Sequence, residues 1–132
     1  MTWSIGNYGF DMVLTPEVPK LIEKYLPDTL DKMASQGVDL GQVDYWAVHP
    51  GGRAILDAVQ RVTGIADVAI TPSLETLRDY GNMSSATIWF VLKRLLTQPA
   101  ARPSQGIMMA FGPGLTIESG LLTCHHPAQE KD

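Results

Sequence analysis

A predominantly apolar run over residues 43–48 stops at His49, and Pro50, Gly51 and Gly52 follow before a helical pattern opens at Ala54. Few arrangements accommodate that order. A run of this length and composition reads as a strand, and its C-terminal end delivers His49 to a strand–helix turn. Gly51 and Gly52 allow close backbone approach there, by a ligand or by another segment. The helix that begins beside them points free N–H groups and a positive dipole end at the same place.

The rest of the chain fits around that unit. Residues 9–14 alternate Phe10, Met12 and Leu14 on one face and read as a strand. Thr15 and Pro16 then open a helix as N-cap and first residue, with Val18, Leu21, Ile22, Tyr25 and Leu26 as its apolar stripe. Pro27 is expected to kink or stop it, with Asp28 capping a continuation that Gly37 ends. Gly64 ends the helix that begins at Gly52, and residues 65–70 are apolar but of undecided type. Pro72 and Ser73 start another helix, which Gly81 breaks, leaving Asn82 in the break. Ser84 or Ser85 then caps a helix over residues 86–96 that is apolar nearly all round. Residues 97–104 form a loop, and residues 106–111 and 115–122 are two strands joined by the tight Gly112-Pro113-Gly114 turn, expected to pair antiparallel. Alternating strands and helices with a final hairpin imply a layered α/β domain over residues 1–122 and a polar tail over 123–132.

Composition excludes several classes of function. One hundred and thirty-two residues suit one domain with a modest core. A net charge of −4 offers no footprint for nucleic acid. The longest apolar stretch, 86–96, is broken by Lys93 and Arg94, so no membrane span is expected. The start lacks the basic region and apolar run of a secretory signal. The single cysteine, Cys124, permits no internal disulfide and suits a reducing compartment, so the expected location is the cytoplasm.

Two residues carry candidate chemistry. A neutral imidazole at His49 donates one N–H, and a carboxamide at Asn82 donates two. Donors held in a dry site stabilise an oxyanion or enolate, and removing one typically costs about 3–4 kcal/mol of barrier. Taken singly, each has a plain structural explanation: a strand-end histidine bonded to backbone, and a residue that merely occupies a helix break.

Three motifs together tip the balance. His49-Pro50-Gly51-Gly52, Gly81-Asn82-Met83-Ser84-Ser85 and Ala110-Phe111-Gly112-Pro113-Gly114 resemble, in order and spacing, the C-terminal region of the type III polyketide synthases, the chalcone and stilbene synthase group. Only Ala110, in place of a glycine, departs from the pattern. The resemblance runs from Trp3 to Leu122 but covers only the last third of a full family member. It implies half of a thiolase-like fold, with a mixed sheet and helices. It also implies an activity: a cysteine thiolate takes an acyl group from a starter acyl-CoA, malonyl-CoA loses carbon dioxide, and its enolate extends the chain. His49 then matches the histidine that pairs with the thiolate and donates to the thioester oxygen, and Asn82 matches the residue that orients malonyl and stabilises the enolate. Gly51, Gly52 and Ala54 match positions near the pantetheine arm. Met12 falls where many plant members carry a bulky aromatic at the cavity mouth, or else fills a strand face as a core methionine. Phe111 either walls the cavity or packs beneath its turn, and Ser84 either caps its helix or lines the cavity floor.

The resemblance fails where the nucleophile should be, because the family's cysteine belongs to an N-terminal half absent here. Cys124 has no helix start beside it to depress its pKa, and Cys124-His125-His126 falls short of a zinc ligand set. No metal or cofactor is expected; the CoA thioesters are substrates. The chain alone is expected to be inactive, and without its missing half it is expected to pair as a homodimer through the helix over 86–96. The alternative is a non-catalytic half that binds acyl-CoA or pairs with a separate cysteine-bearing chain.

Overall fold

The computed structural model describes residues 2–13, 15–98 and 103–125. The side chains of Trp3 and of 10–13, Met12 among them, lie outside that description, as do 126–132 of the expected tail and 99–102 of the expected loop.

Two sheets are present among the described residues. Strands β1 (Thr2–Gly6) and β2 (Gly9–Val13) form an antiparallel hairpin, with Trp3 opposite Met12. Strands β3 (Tyr45–Val48), β4 (Ser104–Gly112) and β5 (Thr116–Cys124) form the second sheet in the order β3-β4-β5. β3 and β4 run parallel, so the intervening chain must cross over, and it does so through three helices. β4 and β5 are the expected antiparallel hairpin, longer than read from sequence and reaching Cys124. Cys124 therefore belongs to the sheet, not to a tail.

The helices are α1 (Val18–Ser35), α2 (Arg53–Thr63), α3 (Asp67–Tyr80) and α4 (Thr87–Leu96). α1 starts later than expected: Glu17 is its N-cap, Pro19 rather than Pro16 is in the first turn, and no side chain caps it. Pro27 neither stops nor ends α1, which runs on to Ser35. The proline stands on the exposed side, while Ile22, Leu26 and Met33 are buried. The donor it lacks is therefore missing on the wet face, and packing of the apolar stripe carries the helix through. α3 likewise begins at Asp67, ahead of Pro72. The carbonyl that Pro72 leaves without a helical donor is that of Val68, in the exposed first turn. α2 ends as expected, at Gly64 in the left-handed conformation, whose N–H reaches Gln60 O at 2.8 Å.

The main core lies between one face of the sheet and the helices α1, α2 and α3. Trp46, Val48, Ile107, Met109 and Phe111 meet Ile22, Leu26, Ile55, Leu56, Val59 and Ile70 there. The opposite face holds a smaller cluster in which Val91 and Leu95 of α4 pack on Tyr45 and Ala47. α4 thus has two apolar faces, one inward (Thr87, Val91, Leu95) and one outward. The outward face is narrower than the sequence suggested, since Val91 and Leu95 are buried. It still presents Trp89, 68% exposed, with Phe90 and Leu96. Arg94 ties α4 to α3 through Glu75, at 3.1 Å, and Asp79. None of the described helices is long and apolar enough to cross a membrane.

Candidate active site

The site forms where β3 ends. His49 N donates to Met109 O at 2.8 Å, which carries the parallel ladder one residue past the strand. Ser73 Oγ, fully buried in α3, donates to Val48 O at 2.7 Å and pins the preceding carbonyl. The chain then folds back on itself, with Gly51 N donating to His49 O at 3.0 Å. That turn lays the imidazole over Gly51: a Cβ added there would sit 3.7 Å from His49 Cδ2 and 3.8 Å from Nε2. It would also meet Ile55 Cδ1 at 2.9 Å, so a glycine is needed for close packing at this position. Gly52 is the N-cap of α2 and offers no side-chain cap; Ile55 N turns back to Gly52 O, and the N–H groups of Arg53 and Ala54 have no partner among the described residues.

The second motif arrives from the far end of α3. Gly81, at φ +70°, ends that helix, and its N–H reaches Leu77 O at 2.9 Å. Asn82 follows, and its carboxamide is fixed at both ends. Nδ2 donates to Gly51 O at 3.2 Å, and Oδ1 accepts from Ser84 N at 2.9 Å. The two bonds set which end is nitrogen, because a reversed amide would face acceptor to acceptor at Gly51. Among the described residues, one N–H of Asn82 remains unspent.

Ser84 does not cap α4 through its side chain. It sits at φ +59°, in a short 3₁₀ turn (Ser84–Ala86), with its backbone N–H bound to Asn82. Thr87 does the local work that the sequence reading gave to a serine. Its Oγ1 accepts from Met83 N at 2.8 Å and donates to Ser84 O at 2.8 Å. The sequence reading singles out neither role: it takes Ser73 only as a helix start beside Pro72, and it does not single out Thr87. For Thr87 the available signal is a lone hydroxyl inside the apolar run 86–92, since a buried polar group must find partners.

Burial lowers the pKa of His49 below the ordinary histidine range, so the ring is neutral near pH 7. No buried side-chain nitrogen or oxygen among the described residues lacks a partner, and no described group hydrogen-bonds the ring. The ring nitrogens therefore open outward. What the arrangement offers is two neutral N–H donors, from His49 and Asn82, beside a helix N-terminus. That set suits an oxygen that gains negative charge.

The fold joins His49, Gly51 and Gly52 to Asn82 and Ser84 in this way, with Ala54 exposed in the first turn of α2. Phe111, two residues past the Met109 carbonyl that His49 N reaches, has its side chain buried in the main core. Met12 is in the separate hairpin. Cys124 is at the wrong end of the sheet. It accepts a hydrogen bond from Tyr45 Oη at 3.4 Å, and Tyr45 opens the strand that His49 follows. Four residues of strand put roughly 13 Å between them. Burial first, then the bond to Cys124, raises the Tyr45 pKa far above the ordinary phenol value, which keeps the hydroxyl a donor. Among the described residues no group of three His, Cys, Asp or Glu is placed to hold a metal ion.

Comparison with known proteins gives a consistent result. The family described as chalcone and stilbene synthases, C-terminal domain, matches residues 2–125. The chain is 32% identical over 122 residues to the 3,5-dihydroxyphenylacetyl-CoA synthase of Streptomyces toyocaensis, covering 91% of this chain and 31% of that protein. It is 41% identical over 123 residues to the bisdemethoxycurcumin synthase of Oryza sativa subsp. japonica, covering 85% and 31%. Among solved structures, the 1,3,6,8-tetrahydroxynaphthalene synthase of Streptomyces coelicolor, a bacterial type III polyketide synthase, superposes with a TM-score of 0.83 at 30% identity, over 96% of this chain and 36% of that one. The expected thiolase-like α/β architecture is the one observed. The chain spans about a third of the length of the relatives it matches.

Proposed function

The chain belongs to the chalcone and stilbene synthase family, and from that premise we propose that it supplies the histidine and asparagine of an acyl-CoA condensing site. The cysteine is carried outside these 132 residues. Its thiolate attacks a starter acyl-CoA and expels CoA. Malonyl-CoA then loses carbon dioxide to give an enolate, whose carbon attacks the acyl thioester. A carbon–carbon bond forms, and the cysteine thiolate leaves. His49 N–H donates to the thioester oxygen, and the unspent N–H of Asn82 donates to the enolate oxygen. Gly51, Gly52 and Ala54 offer a side-chain-poor surface for the pantetheine arm, and Ser84 lines the cavity floor. The reading needs no metal or cofactor, and a reducing cytoplasm suits its thiolate.

The observation that carries this is the hydrogen bond from Asn82 Nδ2 to Gly51 O, which joins the asparagine motif to the turn that His49 enters. In support, both relatives named above are synthases, and one of them makes a CoA thioester. The outward face of α4 completes the proposal: without another helix against it, two copies pair there about a twofold axis.

The test uses the chain alone and the chain joined to the cysteine-bearing part of a family member. With malonyl-CoA and an acyl-CoA, the chain alone gives no pyrone or resorcinol product, and the joined form does. Loss of product in His49→Ala and Asn82→Ala supports the assignment. Full activity in either removes it, and a product dependent on Cys124 in the chain alone refutes the division of labour. Acyl-CoA binding without product in the joined form is the outcome that favours a non-catalytic half.

A further inference from the structure

Asn82 is aimed by a residue outside all three motifs. Thr87 opens α4, fully buried and on the same inward face of the helix as Val91 and Leu95. Its hydroxyl uses its donor on Ser84 O and one acceptor pair on Met83 N, both at 2.8 Å. These bonds close the two residues after Asn82 into a fixed turn. The turn needs fixing, because Ser84 stands at φ +59°, where a residue with a Cβ is uncommon. Ser84 N is in turn the donor that holds Asn82 Oδ1. The order of dependence is therefore Thr87 to the turn, the turn to Ser84 N, and Ser84 N to the carboxamide.

We propose that Thr87 is a positioning residue for the reaction: its hydroxyl holds the Met83–Ser84 turn so that Asn82 presents an N–H, and not its carbonyl oxygen, to the substrate. This rests on the reading of Asn82 given above. Without the hydroxyl, Met83 N and Ser84 O lose their partner and Ser84 is free to leave its left-handed conformation. Asn82 then keeps one of the two bonds that set its orientation, that to Gly51 O, and loses the other. A carboxamide held at one end turns more freely and offers an acceptor part of the time where a developing negative charge needs a donor.

The sequence allows a direct test on the chain as it stands, because Asn7 and Asn82 are its only asparagines. Selective ¹⁵N-asparagine labelling gives two side-chain NH₂ pairs, assigned with Asn7→Ser. In the wild type the Asn82 pair is dispersed and one proton exchanges slowly. In Thr87→Val that pair moves towards the positions of a free amide, while Thr87→Ser keeps the wild-type pattern. An unmoved Asn82 pair in a folded Thr87→Val chain overturns the proposal. Should the valine variant fail to fold, the wild-type Met83 amide decides: slow exchange is expected, and exchange as fast as that of an exposed loop amide overturns the proposal. In the joined, cysteine-bearing form, Thr87→Val is expected to lower kcat by about 10- to 100-fold with KM within about twofold, as for a misplaced catalytic group. Thr87→Ser restores it. Activity lost in Asn82→Ala but kept in Thr87→Val overturns this inference alone, whereas activity kept in Asn82→Ala overturns the reading of the site.

Discussion

Asn82 Nδ2 and Gly51 O, 31 residues apart in sequence, are 3.2 Å apart in space. This bond makes one site out of two motifs. It also gives the nitrogen of the carboxamide a structural duty besides its chemical one, so the two can be separated by substitution.

Asn82→Asp is nearly isosteric and keeps an acceptor for Ser84 N, but it sets a carboxylate oxygen against Gly51 O. It also places negative charge where an enolate and a malonyl carboxylate must sit. In the joined, cysteine-bearing form we expect turnover to fall by about 10²-fold or more, as for loss of an oxyanion donor. The fall should exceed that of Asn82→Ala, because repulsion is added to the missing donor. Steady-state rates of the two variants decide, and an aspartate variant faster than the alanine variant counts against the donor role.

Gly51→Ala tests the packing beneath the histidine. The new Cβ would lie 2.9 Å from Ile55 Cδ1, and Ile55 is buried in the main core. Overpacking of this kind costs about 1–3 kcal/mol. Ile55→Val removes the offending methyl, and by itself costs about 0.5–1.5 kcal/mol. The double variant should therefore be more stable than the sum of the singles predicts. Urea denaturation of the four chains measures the coupling, and strict additivity would show that the contact is not the source of the strain.

The depressed pKa of His49 makes a signed prediction about pH. In the unfolded chain the imidazole titrates near 6.5, and in the folded chain it titrates lower. Between those values the unfolded state binds more protons, so stability rises with pH there. The contribution of His49 is complete above about pH 6.5 and is lost as pH falls towards the folded value. His49→Gln keeps a polar side chain and cannot titrate. Chemical denaturation at steps from pH 7.5 down to 5 should show a loss of stability in the wild type that is reduced in the variant. Equal slopes would mean that burial does not hold His49 neutral. The lowered pKa of Asp79, caused first by its bond to Arg78 and then helped by Arg94, acts in a lower window and does not confuse the comparison.

These sites show what a sequence can reveal and why. The strand-to-helix turn at His49 was legible because β3 is buried along its whole length and the glycines mark the turn. The break at Gly81 was legible because a positive φ asks for glycine. The prolines misled. At Pro27 and Pro72 the local rule predicts an interruption or a start, but both helices continue, since burial of Leu26, Ile70 and their neighbours outweighs one missing hydrogen bond. The β1 strand was not read at all, although Trp3 and Ile5 alternate, because five residues before a tight turn give little signal. Thr87 was missed for another reason. Its importance lies in two backbone groups that it bonds, and those depend on Ser84 taking a conformation that no rule of composition assigns to serine.

The last prediction concerns the outward face of α4. Trp89 is 68% exposed and Leu96 53%, while Ile88 and Leu92 are half-buried beside them. Along α4, Trp89, Leu92 and Leu96 follow a three–four spacing, the seam along which one helix packs on another. Burying side chains of this kind is worth roughly 1.5–3 kcal/mol each, enough for several together to offset the entropy of association. An antiparallel pair about a twofold axis brings the same seam from each copy together and opposes the two helix dipoles. We therefore expect the chain to be dimeric at micromolar concentration. Trp89→Glu places a charge in the seam twice per dimer and should raise Kd by about 10²-fold or more. Its side chain points away from the domain, so folding should be retained, as circular dichroism would report. Sedimentation velocity of the two chains settles the matter: a wild-type monomer, or a dimer indifferent to Trp89→Glu, would show that the copies do not meet along α4.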